Sequence, residues 1–197
     1  MTSQNNRRMK TETMVLGAIM TALVIVLQLL ATFTAFFGPF STAVALIPII
    51  LGAVMCGAGV GAWLGFVFGV VVLASGGAAL FWAFDIPGTV ITVLLKGSCC
   101  GLAAGLVYRL FFKLNRYAAV VAAAVTAPVV NTGIFLLGSA VFFLDDVTEI
   151  AAAAGSAETG MAVFFGFAFA NFLIELLTNV LLSPVVIRLL DIRRKKA

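Results

Sequence analysis

Apolar residues run almost unbroken over 14–37, 41–73, 88–112, 118–142 and 161–187, with short polar breaks between them. A membrane-crossing helix needs about 20 apolar residues at about 1.5 Å each. Four of these runs fit one helix apiece. The stretch 41–73 would be roughly 50 Å long as one helix, too long for one span and short for two.

Charge resolves that stretch. Arg7, Arg8 and Lys10 precede the first run, Arg109, Lys113 and Arg116 cluster at a central break, and Arg188, Arg193, Arg194, Lys195 and Lys196 close the chain. The remaining breaks carry acids: Asp85 in one, and Asp145, Asp146, Glu149 and Glu158 in the other. Basic segments stay on the cytoplasmic side. All three basic clusters share that side only if 41–73 is a tight hairpin. Glycines near Cys56–Gly59 permit the reversal, and Pro48 is expected to bend the short second span. The expectation is an all-α integral membrane protein: a compact bundle of six transmembrane helices, both termini cytoplasmic, in one domain over 1–197. The spans fall at about 14–37, 41–56, 58–74, 88–112, 118–142 and 161–187.

Composition agrees. The chain is 63% hydrophobic and 10% charged, against about 25% charged in a soluble domain. The net charge of +4 belongs to the rims, where attraction to a membrane surface accounts for it without nucleic acid. The first run is too long for a signal-peptide core of about 7–15 residues, so it is expected to remain as a span. There is no His, which removes the usual general base, zinc ligand and His-based triad. Cys56, Cys99 and Cys100 have no CxxC spacing and read as small buried packers. No cofactor or metal is expected, and no enzyme.

Glycines recur every fourth residue at Gly57, Gly61, Gly65 and Gly69, and again at Gly97, Gly101 and Gly105. Such stripes let helix backbones approach closely, with each other as one pairing. The first span carries two small-residue rows, Gly17/Thr21 and Ala18/Ala22, suited either to internal packing or to docking on another membrane protein.

The twelfth basic residue, Lys96, lies inside an apolar segment, as does Glu175. They sit roughly 12 Å and roughly 21 Å below the outer rim. A charge near mid-bilayer costs at least about 2.5–3.5 kcal/mol, so both should face the bundle interior or a wet cavity. Asn171 lies one turn before Glu175, Asn131 near the middle of the fifth span, and Thr89 and Thr92 one to two turns ahead of Lys96. The cytoplasmic third reads as mainly apolar. This describes a blind cavity open to the outside. Lys96 either pairs with Glu175, about 9 Å away along the membrane normal, or contacts a ligand. Trp82 is either an interfacial anchor or a lid. The candidate binding residues are Lys96, Asn131, Asn171, Glu175, Thr92 and Trp82.

At this point the chain resembles the substrate-binding S-components of energy-coupling-factor (ECF) vitamin transporters. The likeness is carried by the six-helix plan, Ala18-x-x-x-Ala22, the 46–53 segment LIPIILGA, the 101–109 segment GLAAGLVYR, and Asn171–Glu175 followed by Pro184. The last segments look most like the branch that contains pantothenate-type and several orphan S-components, whose members often carry Arg where this chain has Lys96. The resemblance implies a vitamin-sized ligand under the external loops. It also implies docking through Ala18 and Ala22 on a membrane-embedded coupling protein driven by two cytoplasmic ATPases, with the S-component toppling to release its ligand. The chain has no GxxxxGK[ST] loop of its own. The rival expectation is a stand-alone proton-coupled secondary transporter using Glu175.

Overall fold

The computed structural model describes residues 2–34, 44–82, 84–143, 146, 148 and 157–196. These are all-helical, with no strand among the described residues. The helices are α1 (Thr2–Thr34), α2 (Leu46–Cys56), α3 (Ala58–Ala74), the single turn α4 (Ala79–Trp82), α5 (Ile86–Phe111), α6 (Arg116–Phe142) and α7 (Ala157–Lys196). Among the described residues, four segments are long and apolar enough to cross a membrane: Thr11–Phe33, Ile86–Phe111, Arg116–Phe142 and Phe164–Ile192. Of the expected span from 41, residues 41–43 lie outside the described residues, 44–45 form a turn and the helix starts at Leu46. The acidic stretch around 149–156 lies outside the described residues.

The 41–73 stretch does divide into two helices. Gly57 separates them at φ 102°, a conformation that costs a residue with a Cβ but not glycine. The two helices then run antiparallel, since Gly52 packs on Leu64 and Gly61 on Ala53. Pro48 falls in the first turn of α2, where the backbone N–H has no intrahelical partner in any case. The expected bend therefore has no cause at that position.

The two glycine stripes meet each other. Gly61 faces Gly101, Gly65 faces Gly97, and Gly69 faces the Val93 carbonyl. The descending numbers on α5 make α3 and α5 antiparallel. Thr92 against Gly138 and Gly88 against Phe142 set α6 antiparallel to α5. Asn131–Glu175 and Arg116–Asp191 contacts do the same for α6 and α7. Gly17 on Val60, and Thr32 Oγ1 3.0 Å from Ser75 Oγ, make α1 parallel to α3. Leaving aside the α4 turn, successive helices thus alternate in direction. The start of α1, the Gly57 turn, the 112–115 break and the end of α7 gather at one end of the bundle, here the basic end.

Helix ends are set by local chemistry. Asp85 caps α5 by accepting from Gly88 N at 2.9 Å, with Pro87 in the first turn. Asn115 caps α6 by accepting from Tyr117 N at 2.8 Å. Arg109 lies in the last turn of α5, where a cation suits the helix dipole. The core centres on α2, whose Leu46, Ile49, Ile50 and Ala53 pack with Val24, Leu64, Phe68, Cys100, Ala123 and Ile187. A helix apolar all round is one that is enclosed all round.

Candidate functional site

A cavity of about 440 Å³ opens at the end opposite the basic one. Its walls come from α3, the 75–85 connection, α5, α6 and α7. Phe68, Phe81, Phe135, Phe164 and Phe167 supply an aromatic surface, and Lys96, Asn131, Thr132, Asn171 and Glu175 supply the polar groups.

Helical periodicity places these groups. Phe164, Phe167, Asn171 and Glu175 recur at three or four residues and so share one face of α7. Asn131 and Phe135 do the same on α6, and Val93 and Lys96 on α5. Glu175 is only 1% exposed. Its carboxylate accepts from Asn131 Nδ2 at 3.3 Å on Oε2 and from Asn171 Nδ2 at 3.1 Å on Oε1. Asn179 Nδ2 donates to the Glu175 backbone carbonyl at 2.8 Å. With its amide nitrogen turned to Glu175, Asn131 keeps a buried Oδ1 with no hydrogen-bond partner among the described residues.

Lys96 makes no ion pair among the described residues. Its ammonium lies 5.1 Å from the Phe135 ring centroid, a cation–π contact. Lys96 and Glu175 therefore share one cavity without closing on each other, and the internal pair considered for them is not formed.

The structure brings Lys96, Asn131, Asn171 and Glu175 together. Thr92 and Trp82 stand outside the cavity wall. Thr92 is turned onto Gly138 of α6, and its hydroxyl is buried without a partner among the described residues. Trp82 packs against the hydrophobic core. Its neighbour Phe81 reaches the cavity instead, with its ring 5.5 Å from that of Phe135 and 5.2 Å from that of Phe143. Thr89 is a support for this arrangement. Its hydroxyl reaches the Phe81 carbonyl at 2.9 Å and the Asp85 carbonyl at 2.6 Å, tying the α4 turn to α5.

Polar groups also continue further toward the basic end than the apolar reading of that third implies. Asn179 and Ser183 are buried one and two turns beyond Glu175. Ser183 has a local role: Pro184 lacks the N–H that would bond Val180, and Ser183 Oγ donates to that carbonyl at 2.7 Å. The aromatic wall was the other omission, although the three- and four-residue spacing of Phe164, Phe167 and Asn171 signals it.

On α1 the two small-residue rows separate. Gly17 packs on Val60, and Thr21 donates to the Gly17 carbonyl at 2.8 Å. Ala18 and Ala22 are exposed. Ala18 lines a surface groove with Gly17, Thr21, Gly59, Val60 and Trp63.

A helical, multi-pass membrane protein with a charged pocket among aromatic side chains is built to hold a small solute. Residues 12–187 match the ECF transporter substrate-specific component family, and the chain belongs to that family. No curated protein and no solved structure matches it. It is thus a transporter component, the substrate-binding subunit of an ECF importer. The family works with membrane-embedded partners and ATPases on a small-molecule ligand.

Proposed function

We propose that the cavity captures a vitamin-sized solute bearing one carboxylate, pantothenate being one example, for ATP-driven import. The observation that carries this is the Lys96 ammonium, held in an aromatic cavity with no ion pair among the described residues. A ligand carboxylate would supply the anionic partner. The unpartnered Asn131 Oδ1 would accept an N–H or O–H from the same ligand. The volume of about 440 Å³ lies within the usual range of about 300–1,000 Å³ for small-molecule sites.

Six spans with both termini cytoplasmic complete the proposal, supported by the alternating helix directions and the basic end. That orientation puts the cavity on the outer side and the exposed Ala18/Ala22 row toward the cytoplasmic half. There it would dock on the coupling protein, and the partner ATPases would supply the energy.

Native mass spectrometry of the protein taken from its own membrane is the direct test. One bound organic carboxylate per chain is the expected result, and a bound cation or amine in its place would overturn the ligand class. Accumulation of labelled solute by vesicles holding this chain alone, under a proton gradient, would instead support the proton-coupled alternative.

A further inference from the structure

The cavity places opposite charges together and yet leaves them apart. In a poorly solvated pocket an ammonium and a carboxylate attract far more strongly than in water. Left to themselves, Lys96 and Glu175 would close into an ion pair and neutralise the site. Each oxygen of the Glu175 carboxylate is instead engaged by an amide N–H, Oε1 by Asn171 and Oε2 by Asn131. The two amides come from different helices, α7 and α6, so together they fix both the position and the rotation of the carboxylate. Asn179 adds a third hold, on the backbone of Glu175 itself. Lys96 stays over the Phe135 ring.

We propose that Asn131 and Asn171 are positioning residues that hold the Glu175 carboxylate away from Lys96 and so keep the ammonium available to an anionic solute. This rests on the reading of Lys96 as the carboxylate-binding group. It also narrows the solute class. Glu175 already places one negative charge in the cavity, so a monoanion matches Lys96 and a dianion meets repulsion. The Asn131 amide oxygen, turned from Glu175 by the clamp, favours a solute with an N–H or O–H near its carboxylate.

The test needs no ligand. Melting temperatures of the full-length purified chain are measured for the parent, Lys96→Met, Glu175→Gln and the double variant. The same four are then made in an Asn131→Ala/Asn171→Ala background. In the parent, where the two charges face one cavity without closing on each other, the two single shifts should come closer to adding than they do once the clamp is removed. With the clamp removed, the pair forms and each single change strands the other charge, so the double variant should melt above both singles. Equal additivity in the two backgrounds would overturn the clamp. Should the doubly substituted background fail to fold, Asn171→Ala alone carries the same comparison. The carboxylate reading fails separately: unchanged solute affinity in a stable Lys96→Met protein would remove it, whatever the melting cycle shows.

Discussion

The Lys96 ammonium stands 5.1 Å from the centroid of the Phe135 ring, held by α5 against α6. A ring face accommodates a cation but does not neutralise it, and contributes about 0.5–2 kcal/mol. A carboxylate that reaches Lys96 gains a charge-assisted bond of roughly 1.5–3 kcal/mol. Lys96→Met should therefore weaken solute binding by about one to two orders of magnitude. Met keeps the apolar stem, so the protein should still fold. Isothermal titration with the solute found by mass spectrometry, paired with a melting curve, checks both halves.

Close approach of α3 and α5 depends on hydrogen in place of a side chain at Gly61, Gly65 and Gly69 of one helix and Gly97, Gly101 and Gly105 of the other. A Cβ at Gly65 would overlap the Gly97 carbonyl, and backbone on a packed helix cannot step aside as a flexible side chain can. Gly65→Ala should cost about 1–3 kcal/mol or more through overpacking. Gly133 on α6 is the control, with nothing within 4 Å of an added Cβ. Gly133→Ala should be neutral or stabilise by up to about 1 kcal/mol, from helix propensity. Thermal melts of the two variants should move in clearly different ways, and equal shifts would discount the stripe as a packing device.

Most of the helical plan could be read from length and charge, because a lipid-spanning helix leaves a long apolar signature. The Gly57 break could be read too, since one residue type serves that backbone. Lys96, Asn131, Asn171 and Glu175 could be found because ionisable and amide groups are costly in an apolar segment. The side chains that shape the pocket were harder to see. Phe81 and Trp82 are neighbours of similar chemistry, and only the rotation of the α4 turn decides that Phe81 meets the cavity and Trp82 the core. Thr92 and Lys96 are one turn apart, and the residual angle between them sends Thr92 onto Gly138. Lys96 and Glu175 come from helices not adjacent in sequence, and whether they pair depends on amides that a one-dimensional pattern does not orient.

Ser183 answers a backbone defect created by the next residue. Without its hydroxyl, the Val180 carbonyl freed by Pro184 would lose its partner inside the bundle. Ser183→Ala should destabilise the protein by about 1–3 kcal/mol. Combining it with Pro184→Ala, which restores the backbone N–H, should recover most of the loss. Absence of recovery in melts of the double variant would assign Ser183 another role.

The side of the membrane on which each end lies can be read with single cysteines in a background lacking the native three. Leu114, between α5 and α6, is 80% exposed and does not cap a helix as Asn115 does. Leu114→Cys should react with an impermeant maleimide only after the cells are opened. Ser156→Cys, between α6 and α7, should react in intact cells. Labelling of Leu114→Cys from outside would invert the proposed topology.

Ala18 and Ala22 distinguish docking from packing. Both are exposed on α1, whereas Gly17 on the adjoining row packs against Val60 of α3. A leucine at either alanine would extend away from the bundle and hold off any helix that lies along this row. The row is also near the basic end, far from the cavity. Ala18→Leu and Ala22→Leu should therefore abolish uptake in cells with the coupling protein and ATPases present, while solute affinity of the purified subunit stays within a few-fold. Co-purification with the coupling protein should fall in parallel with uptake. Collapse of solute affinity would show instead that the row supports the pocket from within, and undiminished uptake would place the docking surface elsewhere on the subunit.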